Sequence, residues 1–261
     1  MNKDEAVNSK VQSTFEFMGD VETGITPVRL GIVGVTGIVG EKLLDVLKEQ
    51  TFPIKELRVF ASGKSQSSFI ESPFGTLAVE TLNIRQVPEL DIVFLAAGAE
   101  AARKWGWRFA RRDTIVIDKS SYFRDKSYAP LVVPEVNETS LELGQYIYSN
   151  PNCATIPIVH ALKPLHDQFV LKGFTAVTFQ SVSGAGKKGV AAYEQESNGD
   201  SYEESPFPEQ IVGNVIPWIG DSEDLRSDEE KKVIAESRKI LGLPRLPIRV
   251  TCVRVPVHTG H

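Results

Sequence analysis

The sequence predicts a parallel α/β domain followed by an α+β domain. Three observations lead there. Apolar, β-rich runs alternate with helical patterns over residues 28–118. The first run ends in a glycine-spaced turn that opens a helix. After Asn150 the strands lengthen and partly alternate, and a charged helix appears. The expected division is 1–26 as a loosely ordered N-terminal extension, 27–150 as the first domain and 151–261 as the second.

The elements follow in order. Val28–Val33 is short, apolar and β-rich, so it reads as a buried strand. Gly34–Gly40 is a glycine turn, and Glu41–Glu49 carries Leu43, Leu44 and Leu47 at helical spacing. Leu57–Ala61, Asp91–Ala97 and Thr114–Asp118 are further strands, with a helix over Ala101–Arg111. Strand and helix in alternation imply a parallel sheet with right-handed crossovers. In the second part Phe174–Val182 and Ile248–Val255 are strands, and Ser183–Lys188 is a glycine-rich loop. Gly199–Asp224 is an irregular excursion, and Asp228–Leu241 is a helix with Val233, Ile234 and Ile240 inward.

Composition narrows the function. The 261 residues are 41% apolar, enough for a packed core in two domains. A net charge of −5 gives no general attraction to nucleic acid or an anionic membrane. No apolar run approaches the roughly 20 residues that span a bilayer. Two cysteines, Cys153 and Cys252, are too few for a disulfide scaffold, so a reducing cytoplasmic setting is expected.

Two segments carry chemistry. Glycines at 31, 34, 37 and 40 between a strand and a helix permit the tight turn and close backbone approach that a pyrophosphate requires. NAD sites usually hold the ribose 2′-hydroxyl with an acid at the end of the second strand. Here that region reads Val59-Phe60-Ala61-Ser62-Gly63-Lys64-Ser65, with a lysine among hydroxyls, which suits a 2′-phosphate and so NADP. Cys153, in Ser149-Asn150-Pro151-Asn152-Cys153-Ala154-Thr155, stands immediately before an apolar helical stretch. Helix-start N–H groups and the dipole favour the thiolate, and Asn152 is placed to cap the helix. Cys252 lies in an apolar strand and reads as core. A thiol adding to an aldehyde needs a proton-transfer partner near neutral pH. Of His160, His166, His258 and His261, only the last two follow a strand rather than the helix behind Cys153, and spacing does not rank them. No metal site is expected.

Ser149–Thr155 (SNPNCAT), Thr178–Gly186 (TFQSVSGAG) and Arg254–His261 (RVPVHTGH) resemble the signature segments of the aspartate-β-semialdehyde dehydrogenase family. Gly34–Gly40 (GVTGIVG), Ser121–Arg124 (SYFR) and Val132–Asn137 (VVPEVN) fit too, so the resemblance runs from Val28 to the last residue. It implies a Rossmann-type domain and then a substrate and dimerisation domain, here incomplete at its C-terminus. It also implies a cytoplasmic homodimer or homotetramer. The implied reaction is the reversible, NADP-dependent conversion of L-4-aspartyl phosphate to L-aspartate 4-semialdehyde and inorganic phosphate through a cysteine thioester, toward lysine, threonine and methionine.

By resemblance Cys153 is the nucleophile, His261 the acid/base and Gln180 the residue orienting the covalent intermediate. Arg254, Glu229, Asn152, Arg124 and Lys232 hold the substrate, Arg254 at its carboxylate, Glu229 at its amino end, Arg124 and Lys232 at its phosphate. Gly34, Thr36, Gly37, Ile38, Val39, Lys64, Ser65, Ser183 and Gly184 contact the cofactor. Family chains continue well beyond the last of these segments, so the 261-residue piece is expected to fold poorly or lack activity alone. Alternatives are an N-acetyl-γ-glutamyl-phosphate reductase, or an inactive homologue that binds only nucleotide or a partner.

Overall fold

The computed structural model describes residues 15–16, 26–62, 69–83, 86–221 and 225–261. Contacts divide the chain into two units. One comprises Met1–Pro130 and Glu142–Asn150, the other Leu131–Leu141 and Pro151–His261.

The first unit is built on one sheet. Its strands are β1 (Phe15–Glu16), β2 (Val28–Val33), β3 (Ile54–Ala61), β4 (Phe69–Ser72), β5 (Gly75–Thr81), β6 (Ile92–Leu95), β7 (Ile115–Asp118) and β8 (Ile147–Ser149). They run in the order β4-β5-β3-β2-β6-β7-β8, with β1 pairing antiparallel to β3. Only β4–β5 is otherwise antiparallel. Numbered by themselves, the six parallel strands give 3-2-1-4-5-6, the dinucleotide-binding order, whose switch point lies between β2 and β6.

Helix α1 (Ile38–Glu49) buries Leu44 and Leu47, and α2 (Ala99–Ala110) buries Ala102, Trp105 and Phe109. Two clusters form the core. One gathers Leu30, Ile32, Leu44, Leu57 and Val59; the other Val93, Leu95, Phe109, Val116 and Phe123. The expected first helix begins three residues earlier than its leucines suggest, because glycine turn and helix share Ile38–Gly40. The β4–β5 hairpin was not expected. Beyond β1, the extension lies outside the described residues, as do Lys64 and Ser65.

The second unit holds α3 (Pro134–Asn137), α4 (Thr155–Phe169), β9 (Phe174–Gln180), α5 (Gly186–Ser197), α6 (Asp228–Leu241) and β10 (Ile248–Arg254). Strands β9 and β10 pair in parallel over seven residues, Ile248 opposite Phe174 through Arg254 opposite Gln180. Leu131–Leu141, expected in the first domain, groups here because Leu131, Val133 and Val136 pack with Val159, Ile234, Ile240 and Ile248. The expected loop at Ser183–Lys188 is instead a 3-10 turn, Val182–Ala185, leading into α5.

Candidate functional site

In the first unit the turn after β2 forms a cradle. Gly34 has φ +92°, and a Cβ there would lie 2.8 Å from the Ala96 backbone. A Cβ at Gly40 would run into the Gly34 carbonyl. The N-cap of α1 is Gly37, without a side-chain cap, so the first-turn N–H groups of Ile38 and Val39 have no helical acceptor. Main chain, not side chains, therefore presents itself at the switch point, which fits a dinucleotide pyrophosphate. At the end of β7, Asp118 is buried and accepts bonds from Ser120 N (2.9 Å) and Oγ (2.9 Å). Burial pushes its carboxyl up, against those bonds. Arg124 donates to the carbonyls of Asn150 (3.0 Å) and Lys119 (3.3 Å).

The second unit brings together most of the other expected residues. Cys153 is exposed in the turn before α4, and neither cysteine is in a disulfide. Asn152 does not cap α4 by its side chain. Its Oδ1 accepts the Ala154 N–H at 2.8 Å, ahead of the helix, while its main-chain oxygen takes the Thr155 and Ile156 N–H groups. This turn presents the cysteine one step before the helical ladder begins.

Glu229 is the hub. Its Oε1 accepts from Asn152 Nδ2 (2.8 Å) and Gln180 Nε2 (3.0 Å), and its Oε2 from Lys232 Nζ (3.4 Å). Burial alone would raise the Glu229 carboxyl. The Asn152 and Gln180 bonds and Lys232 outweigh it and hold the carboxyl below the usual carboxylate range. Gln180 is oriented in turn by Thr178 Oγ1, 3.0 Å from its Oε1.

Arg254 is 6% exposed and donates from Nη1 to the Ser181 carbonyl at 2.6 Å. Burial lowers its pKa, and Glu229 and Cys153 oppose the shift electrostatically. Arg254 also lines a hollow of about 410 Å³ with Phe207, Ile216, Trp218 and Asp221. Gly184 sits against that guanidinium; a Cβ would come within 2.7 Å of Nη1.

The last residues are tied to the turn after β9. Ser181, Val182 and Ser183 N–H groups donate to Gly260, Val257 and His258 carbonyls at 3.1, 2.9 and 3.2 Å. That lashing delivers His261, whose Nε2 lies 3.1 Å from the Cys153 carbonyl oxygen. His258 turns instead to Thr259 (2.8 Å) and Glu194 (3.4 Å). The geometry thus separates two histidines that spacing left level. Ser183 Oγ pairs with Ser181 Oγ at 2.8 Å. Sequence reasoning missed Glu236, a buried acid whose Oε2 accepts the Asn152 N–H at 2.6 Å. Its signal was available: it lies seven residues from Glu229, on the same helical face.

A dinucleotide-type sheet joined to a unit with a cysteine at a helix start, a buried carboxylate hub and a nearby histidine defines an oxidoreductase acting on aldehydes. Comparisons with known proteins agree. Residues 29–143 match the family model described as semialdehyde dehydrogenase, NAD binding domain, and residues 162–261 match semialdehyde dehydrogenase, dimerisation domain. An aspartate-semialdehyde dehydrogenase of Rickettsia bellii is 40% identical over 239 residues, 89% of this chain and 70% of that one. Aspartate-semialdehyde dehydrogenase 2 of Vibrio cholerae is 38% identical, with 89% and 71% covered. A crystal structure of the V. cholerae enzyme II, complexed with ASA, superposes with TM-score 0.81 at 36% identity, over 89% of this chain and 71% of that one. The chain belongs to the aspartate-semialdehyde dehydrogenase family. Its first unit is a nicotinamide-dinucleotide binding domain and its second an oligomerisation domain.

Proposed function

We propose that this protein interconverts L-4-aspartyl phosphate and L-aspartate 4-semialdehyde, with NADP as cofactor and a thioester on Cys153. The observation that carries the reading is the exposed Cys153 turn with the His261 ring against its carbonyl. Family membership supplies the substrate class. NADP rather than NAD is favoured because β3 ends in Val59-Phe60-Ala61 and is followed by Ser62, with no carboxylate there for a ribose 2′-hydroxyl. Lys64 and Ser65, just beyond, are the proposed partners of a 2′-phosphate.

The Gly34–Val39 turn, Thr36 included, binds the pyrophosphate through its main chain, with Ser183 and Gly184 as further contacts. Arg254 pairs with the substrate carboxylate, and Glu229, held ionised by its donors, meets the substrate amine. Asn152 and Gln180 keep the reacting carbonyl beside the sulfur. In the biosynthetic direction the Cys153 thiolate attacks the acyl carbon; the C–S bond forms and the C–O bond to phosphate breaks. Arg124 and Lys232 take the departing phosphate. When bound, a reduced nicotinamide is the hydride source for the thioester carbon. In the same direction His261 takes the thiohemiacetal hydroxyl proton as the C–S bond breaks, which releases the aldehyde and returns the Cys153 thiolate. The active species is a cytoplasmic homodimer or homotetramer.

The test is phosphate-dependent reduction of NADP with aspartate semialdehyde, run beside N-acetylglutamate semialdehyde. Turnover of the first and not the second supports the reading. Preference for the acetylated substrate, or nucleotide binding without turnover, overturns it.

A further inference from the structure

The reaction uses the Cys153 sulfur, and the turn carrying it is bonded beyond its own segment as well as within it. It is held from α6. Glu236 is 5% exposed, and its Oε2 takes the Asn152 main-chain N–H at 2.6 Å. Two helical turns earlier, Glu229 Oε1 takes the Asn152 side-chain Nδ2 at 2.8 Å. The Asn152 Oδ1 then closes on the Ala154 N–H at 2.8 Å. Asn152 is thus fixed at its nitrogen, its amide NH2 and its amide oxygen. The next residue is the cysteine, whose carbonyl meets His261. Burying a carboxyl is costly unless its oxygens are satisfied, and here one of them is spent on a main-chain nitrogen beside the reactive residue.

We propose that Glu236 is a positioning residue, latching the Asn152–Cys153 turn to α6 so that the sulfur is held in attacking geometry. The proposal rests on Cys153 being the nucleophile. It differs from the Glu229 role, since Glu236 accepts the main-chain N–H of Asn152, whereas Glu229 accepts from the side chains of Asn152, Gln180 and Lys232. A neighbouring acid provides the contrast. Glu230 is also buried, but its carboxyl bonds run to the N–H groups of Ser227 (3.1 Å) and Cys252 (3.3 Å).

The experiment compares Glu236→Ala, Glu236→Gln and Glu230→Ala in the whole protein, with activity expressed per titrated Cys153 thiol. Amide hydrogen exchange over residues 150–154 is followed in parallel. Glu236→Ala is expected to speed exchange there about tenfold and to lower kcat roughly 30-fold, with KM for aspartate semialdehyde within about threefold. Glu236→Gln, which keeps an acceptor oxygen in place, is expected to recover most of kcat. Glu230→Ala is expected to lower the melting temperature and leave both readouts near the parent. Should Glu236→Ala not fold, Glu236→Asp, whose shorter arm withdraws the acceptor, takes its place with the same expectations. Unchanged exchange, kcat within about twofold of the parent, or an equal kcat loss in Glu230→Ala overturns the proposal. If the parent itself does not turn over aspartate semialdehyde, the functional reading falls. Exchange then decides the latch by itself: raised in Glu236→Ala alone it stands, otherwise it falls.

Discussion

A single carboxylate, Glu229, gathers Asn152, Gln180 and Lys232 around it. Its folded pKa lies below that of an exposed acid despite burial. The sign of the pH dependence follows. A depressed carboxyl stabilises the fold above its unfolded pKa, and that stabilisation is lost as pH falls through the folded value. Melting temperature should therefore drop below about pH 4.5, and Glu229→Gln should flatten that acid limb. The same substitution at neutral pH should cost about 1–3 kcal/mol, because a neutral amide cannot accept all three donors. Thermal unfolding against pH reads both; an unchanged acid limb in the variant would contradict the hub.

The sequence shows Glu229 only as half of a helical Glu–Lys pair, since its Asn152 and Gln180 partners lie 77 and 49 residues away. Cys153 stood out because local motif and chemistry coincide, whereas Arg254 entered through the family resemblance. Glu236 was passed over because an acid on a charged helix normally faces water, although its seven-residue spacing puts it on the Glu229 face.

At the scale of elements, α6 is the beam on which the site hangs. It begins with a capping box: Ser227 Oγ accepts the Glu230 N–H, and the Glu230 carboxyl accepts the Ser227 N–H. It ends on Gly242 in the left-handed region, φ +67°. Its acidic first turn and basic last turn also suit the helix dipole. Ser227→Ala should cost about 1 kcal/mol, read as a lower denaturation midpoint with an unchanged m-value. A change well below that would mean that tertiary packing alone fixes the helix start. The bounds of α6 and β2 were readable because caps and apolar runs are local signals. The start of helix α5 was hidden by Gly184 and Gly186, in the Ser183–Lys188 stretch that reads as loop. Gly189 is buried, where a Cβ would press on the Ala185 side chain. The β4–β5 hairpin was hidden by its four-residue first strand, which alternates between exposed and half-buried positions.

At the scale of the whole molecule, two units divide the labour. The first carries the 3-2-1-4-5-6 sheet and a glycine cradle; the second carries thiol, histidine and carboxylate hub. Alternation of strand and helix made the first architecture readable. Strand order was not, because a periodic pattern does not say which strands are neighbours. Among the described residues no helix is long and apolar enough to cross a membrane, and no cluster of His, Cys, Asp or Glu is placed to hold a metal ion.

The central claim is the covalent one, that an acyl group passes through the Cys153 sulfur. It is tested by mixing the protein with aspartate semialdehyde and NADP in the absence of phosphate, then measuring intact mass and mapping the modified peptide. The account predicts one aspartyl group per chain, carried on Cys153, formed with a matching burst of NADPH and released by added phosphate; Cys153→Ala binds NADP but forms no adduct. An unmodified chain that nevertheless reduces NADP, or an adduct on any other residue, would contradict it.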